Sequence, residues 1–171
     1  MKPRVSKLLV VCFLTILVVS CIEDAQQPKN LNLSINLTGK SECKSNKSAG
    51  INQSVTNSQS CIEYSFDQAT QKLTLKHINA GFNCCPESIS CTVTFKNDSI
   101  IIQESEKSPR CNCDCLYDLD MEVDGVEAGK YQIHIIESYI GSQDKLSFEL
   151  DLGKQKQGTW CVTRNGYPWG I

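Results

Sequence analysis

The chain has 171 residues, and eleven of them are cysteine. Hydrophobic residues make up 40% and charged residues 21%, with a mean hydropathy of −0.25. Those values exclude a polytopic membrane protein, a fully disordered chain and a collagen-like repeat. Net charge is −2, or −5 without the basic leader residues Lys2, Arg4 and Lys7. An acidic chain with no basic stripe gives no reason to expect nucleic acid as a partner.

Residues 1–20 read as an export signal. Lys2, Arg4 and Lys7 supply the positive start, and Leu8 to Val19 is an apolar run of twelve residues. That is the length of a signal core and too short to cross a bilayer. The run ends Val18-Val19-Ser20-Cys21, which resembles the bacterial lipobox. The resemblance implies acylation of Cys21 (palmitate among the chains), cleavage before it, and attachment to the membrane through lipid. Ile22, rather than Asp, follows the cysteine, and Glu23 and Asp24 come next. Acidic residues there resemble the surface-export signals of Bacteroidota-type lipoproteins. The expected address is the cell envelope, as an outer-membrane lipoprotein facing the periplasm or the surface.

Residues 21–30 are polar and form a tether. Residues 31–171 read as one β-domain. Leu31, Leu33, Ile35 and Leu37 alternate with polar residues, the period of a half-buried strand. Residues 39–60 are a polar loop with almost no large apolar side chain. Ile62, Tyr64 and Phe66 then share a face, and Leu73 and Leu75 begin the next strand. Cys91, Val93 and Phe95 alternate with polar residues up to a tight turn at Asn97-Asp98, and three isoleucines follow. Leu119, Met121 and Val123 oppose the acidic row Asp118, Asp120, Glu122 and Asp124. That row reads as a solvated face that discourages edge-to-edge pairing. Its carboxylates, about 7 Å apart on a strand, are too separated to share one calcium ion. Tyr131, Ile133 and Ile135, then Leu146 to Leu152, then Thr159 to Thr163, complete eight or nine short strands. The reading is all-β: an antiparallel, immunoglobulin-like β-sandwich stapled by disulfides. The Gly129-Lys130-Tyr131 passage resembles the turn-then-Tyr strand of such folds.

Nine cysteines follow Cys21: Cys43, Cys61, Cys84, Cys85, Cys91, Cys111, Cys113, Cys115 and Cys161. An exported chain is expected to oxidise them to disulfides, and the odd count leaves one over. Adjacent Cys84 and Cys85 are expected to reach different partners. If the strand is unbroken, Cys111, Cys113 and Cys115 all point inward, with Cys84, Cys85 and Cys91 as natural partners. The alternative is a soft-metal site in the Cys84–Cys115 thiol cluster with His77 nearby. The C-x-x-C spacing usual in zinc sites is missing, so no metal or other cofactor is expected.

His77 and His134 are the only histidines; both are expected to be structural, with His134 on the exposed side of its strand. No nucleophile elbow, H-E-x-x-H or EF-hand pattern appears, so an enzyme is not expected. Trp160, Tyr167 and Trp169 form an aromatic C-terminal region that packs on the sandwich or stacks on a ligand such as a sugar. The stretches 77–86, 111–133 and 164–170 together resemble small uncharacterised lipoproteins of Bacteroidota-type bacteria with a cysteine-rich β-sandwich. That family implies no catalytic residues. The expected function is a non-catalytic binding or interaction module at the envelope, with a protein or glycan partner.

Overall fold

The computed structural model describes residues 29–44, 58–107 and 111–166. Nine strands run in chain order: β1 (Ser34–Lys40), β2 (Gln59–Asp67), β3 (Lys72–Asn83), β4 (Ser88–Lys96), β5 (Ser99–Lys107), β6 (Asp114–Asp124), β7 (Lys130–Ile136), β8 (Ser147–Asp151) and β9 (Gln157–Thr163). One sheet has the order β1-β6-β3-β2-β9 and the other β4-β5-β7-β8. No helix occurs among the described residues. The lipobox residue Cys21 and the aromatics Tyr167 and Trp169 lie outside them.

The two sheets face each other across one apolar interior. Ile62, Phe66, Leu73, Leu75, Met121 and Val123 come from the first sheet, and Ile100, Ile102, Tyr131, Ile133, Phe148 and Leu150 from the second. Each is at an inward position of a period-two strand, and burial of each such side chain contributes about 1.5–3 kcal/mol. A smaller cluster of Phe82, Ile89, Cys115, Tyr117 and Leu119 closes one end.

Local sequence explains the corners. Asn97 and Asp98 both have positive φ, 50° and 56°, as a two-residue hairpin between twisted strands requires. Tyr131 Oη donates to Glu127 O at 2.8 Å, the back-bond of a tyrosine corner in an immunoglobulin-like sandwich. Gly125, at φ +82°, lets the chain pass Asn32, whose carbonyl oxygen would lie 2.5 Å from any Cβ placed there. Between His77 and Ala80 the register against β6 slips by one residue. Asn79 occupies this bulge at φ 64°.

Several expectations change here. All strand pairings are antiparallel except β5 with β7, which is parallel. The reason is topological. The chain leaves β5, crosses to the first sheet for β6 and returns for β7. Two reversals restore the original direction. The acidic row on β6 does not guard an edge, because β6 lies between β1 and β3. Its carboxylates instead meet cross-strand lysines: Lys72 with Glu122 at 2.6 Å, Lys76 with Asp120 at 3.7 Å, and Lys44 with Asp118. The first strand begins at Ser34 rather than Leu31, and Gly39 and Lys40 belong to it rather than to the polar loop. Of that loop, residues 45–57 lie outside the described set.

Candidate functional site

Among the described residues the cysteines pair as Cys43–Cys115, Cys61–Cys161, Cys84–Cys113 and Cys85–Cys111, leaving Cys91 as the free thiol. Cys84 and Cys85 do reach different partners. The inward trio does not form: β6 begins at Asp114, so Cys111 and Cys113 precede it and are exposed, and only Cys115 is buried. Cys115 reaches Cys43 because Ser41 to Lys44 runs beside β6, with Ser41 N bonded to Asp118 O and Lys44 N to Leu116 O, each at 2.9 Å. Cys91 cannot serve, since β4 belongs to the opposite sheet, about 10 Å away. Its side chain packs inward against the main core, directly across from Glu104. Burial, with Glu104 beside it, pushes its pKa up to about 12.

Two disulfides converge at one end of the sandwich. The sulfurs of Cys84, Cys85 and Cys111 lie within 4.8 Å of one another. Asn83 holds both segments: its Nδ2 donates to Cys111 O at 2.6 Å, and its Oδ1 accepts from Cys85 N at 3.0 Å. Cys84 N donates to Cys113 O at 3.0 Å. Tyr117 Oη is 3.1 Å from the carbonyl oxygens of both Asn83 and Cys84. His77 is not part of this group, contrary to the thiol-plus-histidine metal reading.

His77 sits instead in a polar cluster between the sheets, fully buried. Ser60 Oγ is 2.8 Å from its Nε2, and Glu104 Oε1 is 2.7 Å from its Nδ1. Glu137 Oε1 lies 3.8 Å from Nε2, and Glu137 Oε2 pairs with Arg164 Nη2 at 2.5 Å. Arg164 also donates to Asp144 O. Desolvation pulls the imidazole toward its neutral form. The Glu104 carboxylate, helped by Glu137, outweighs that pull and holds the His77 pKa above its ordinary value, with Arg164 opposing. Burial raises the Glu137 pKa despite His77 and Arg164 beside it. The chain of contacts Ser60–His77–Glu104 has the order of a serine nucleophile, base and acid. Ser60 and His77 are 0% exposed and Glu104 2%, so the hydroxyl is closed off from solvent in this structure. Sequence reading missed this cluster. The signal was parity: Glu104 continues the inward row of Ile100 and Ile102, and Glu137 that of Ile133 and Ile135.

The outer face of β5 and β7 carries a hollow of about 440 Å³, lined by Ile101, His134, Ile136, Ile140, Lys145 and Ser147 among others. Ile136 is 47% exposed there. His134 does face outward, but the 137–146 segment leaves it only half-exposed, with Ser147 Oγ 2.9 Å from its Nδ1. At one edge of the sandwich, Trp160 is 46% exposed and its ring stacks on Phe148 at 5.7 Å and 17°. Tyr64 stacks on the same Phe148 at 6.5 Å.

Comparison with protein-family models, curated proteins and solved structures found no match for this chain. Four disulfides fit an oxidising setting outside the cytoplasm, extracellular or in the envelope.

Proposed function

We propose that this chain is a lipid-anchored envelope protein, tethered through Cys21, whose sandwich is a non-catalytic binding module. The observation that carries the reading is the apolar hollow on β5 and β7. Its size falls in the range of ligand sites, about 300–1,000 Å³, and its make-up matches them: mostly aliphatic walls with a few polar groups, His134, Glu137, Lys145 and Ser147. The sealed Ser60–His77–Glu104 chain is read as a tie between the sheets. The lipobox-like Val18-Val19-Ser20-Cys21 supports the anchor, and the disulfides support export.

An anionic naphthalene dye tests the hollow. Saturable fluorescence enhancement is expected with the native chain and is lost in Ile136→Asp. No enhancement, or the same enhancement in the variant, overturns the site. Cys21→Ser tests the anchor: the chain is expected to leave the membrane fraction and to lose labelling by an alkyne analogue of palmitate.

Trp160 favours a second reading, a glycan-binding surface. A half-exposed indole held flat by a buried ring offers a rigid face to a sugar. In a Trp169→Phe background, oligosaccharides are expected to quench Trp160 fluorescence; a glycan array with no Trp160-dependent signal rules this out.

A further inference from the structure

The convergence of two accessible disulfides on one hydrogen-bonded frame goes beyond a binding hollow. We propose that Cys84, Cys85, Cys111 and Cys113, once reduced, form a site for a soft, thiophilic metal ion of the zinc or copper(I) class.

Three of the four sulfurs already lie within 4.8 Å of one another, and the fourth, Cys113, is bonded to Cys84. A tetrahedral thiolate site with metal–sulfur bonds of about 2.3 Å needs sulfurs about 3.8 Å apart. Side-chain rotation alone moves the sulfurs that far. The backbone carrying them does not depend on the sulfur bonds. Asn83 bridges the two segments through Cys85 N and Cys111 O, Cys84 N is bonded to Cys113 O, and Tyr117 Oη reaches two carbonyls of the 83–84 stretch. Asn83 itself continues β3 into its pairing with β6 at Asp114. Opening the disulfides therefore leaves four thiols gathered on a folded frame.

Access is the second element. Each of the other two disulfides joins an exposed sulfur, Cys161 or Cys43, to a fully buried one, Cys61 or Cys115. In the cluster, Cys111 and Cys113 are exposed and Cys84 and Cys85 half-buried. Attack on the exposed sulfur releases its partner as a thiolate, and that leaving thiolate is half in solvent in the cluster but buried in the other two disulfides, so the cluster opens first. Each S–S bond takes two electrons and two protons from one external dithiol, which leaves as its own disulfide. The metal ion then displaces the thiol protons and accepts a lone pair from each thiolate, so binding releases protons and tightens as pH rises.

The test uses the whole folded chain. It is titrated with dithiothreitol under argon, alkylated, and its labelled cysteines are mapped. Cys84, Cys85, Cys111 and Cys113 are expected to be labelled before Cys43, Cys61, Cys115 and Cys161. Cobalt(II) is then added to the partly reduced chain. The expected result is the sulfur-to-metal charge-transfer band and visible absorption of a tetrahedral thiolate site. It should saturate at about one ion per chain, be displaced by zinc, and protect those four thiols from alkylation. The paired variant Cys84→Ser/Cys113→Ser is expected to lose the band. The paired variant Cys43→Ser/Cys115→Ser, which breaks a bond outside the cluster, keeps it. The proposal is overturned if the cluster opens without a thiolate band, if both paired variants bind cobalt alike, or if the other disulfides open first. Dye binding at Ile136 reads a different site, so either reading can fail without the other.

Discussion

Nδ1 of His77 lies 2.7 Å from Oε1 of Glu104, and the two residues belong to opposite sheets. The contact is a polar bridge between two sheets whose shared interior is mostly apolar. Glu137 and Arg164 extend it toward the ends of β7 and β9.

That bridge makes stability depend on pH. The His77 pKa is held above its ordinary 6.5 in the fold, so its contribution is full below that value and is lost as pH rises through the higher folded value. Glu137, whose pKa is also raised, acts with the same sign: the fold retains protons that the unfolded chain releases. Urea midpoints are expected to fall as pH rises past 6.5, and His77→Gln flattens that slope. A midpoint that rises over the same interval contradicts the assignment.

Arg164→Met removes the partner of a carboxylate whose side chain is only 3% exposed. Leaving a buried charge without its mate costs about 3–5 kcal/mol. The double variant Arg164→Met/Glu137→Leu is expected to recover most of the loss, measured as ΔG from denaturant unfolding. If the single variant unfolds like the native chain, the pair is not holding the sheet ends.

Cys91 should be chemically silent in the native state, because its pKa is pushed up to about 12 and its side chain packs in the core. Iodoacetamide at pH 8 is expected to label no thiol of the described residues until the chain is unfolded. Unfolding without reductant then exposes Cys91 alone among the cysteines of the described residues. Native labelling of Cys91 would show that β4 opens readily.

Gly125→Ala should destabilise by about 1–3 kcal/mol, because the residue has φ +82° and its Cβ would meet Asn32 O at 2.5 Å. Thermal melts of the variant against a Gly153→Ala control, where only the Asp151 side chain stands close, test this.

Much of the architecture was legible because strand parity is a strict code. The inward rows Cys91-Val93-Phe95 and Leu119-Met121-Val123, and the Asn97-Asp98 turn, are where alternation and turn chemistry put them. What parity cannot carry is pairing. Whether β5 meets β7 in parallel depends on the sheet that β6 joins, and that is a property of the whole chain. The bond from Cys115 to Cys43 spans a separation of 72 residues and rests on the short run beside β6. The inward trio failed by one boundary, since β6 starts at Asp114 and leaves Cys111 and Cys113 in front of it. The interior charges were visible as Glu104 and Glu137 standing in apolar rows. Nothing in either row named His77 or Arg164 as the partner.

The bonds Cys43–Cys115 and Cys61–Cys161 interleave along the chain. Every peptide bond between Cys43 and Cys161 is therefore spanned by at least one of them. A protease that clips the domain once anywhere in that interval produces a nicked chain but no separate fragment. A clip ahead of β1 has the opposite result: it separates the entire sandwich, unbroken, from the residues that precede it. For a domain in an oxidising setting, where proteases act without repair, release in one piece and survival in place are the two outcomes of proteolysis, and the position of the cut decides between them.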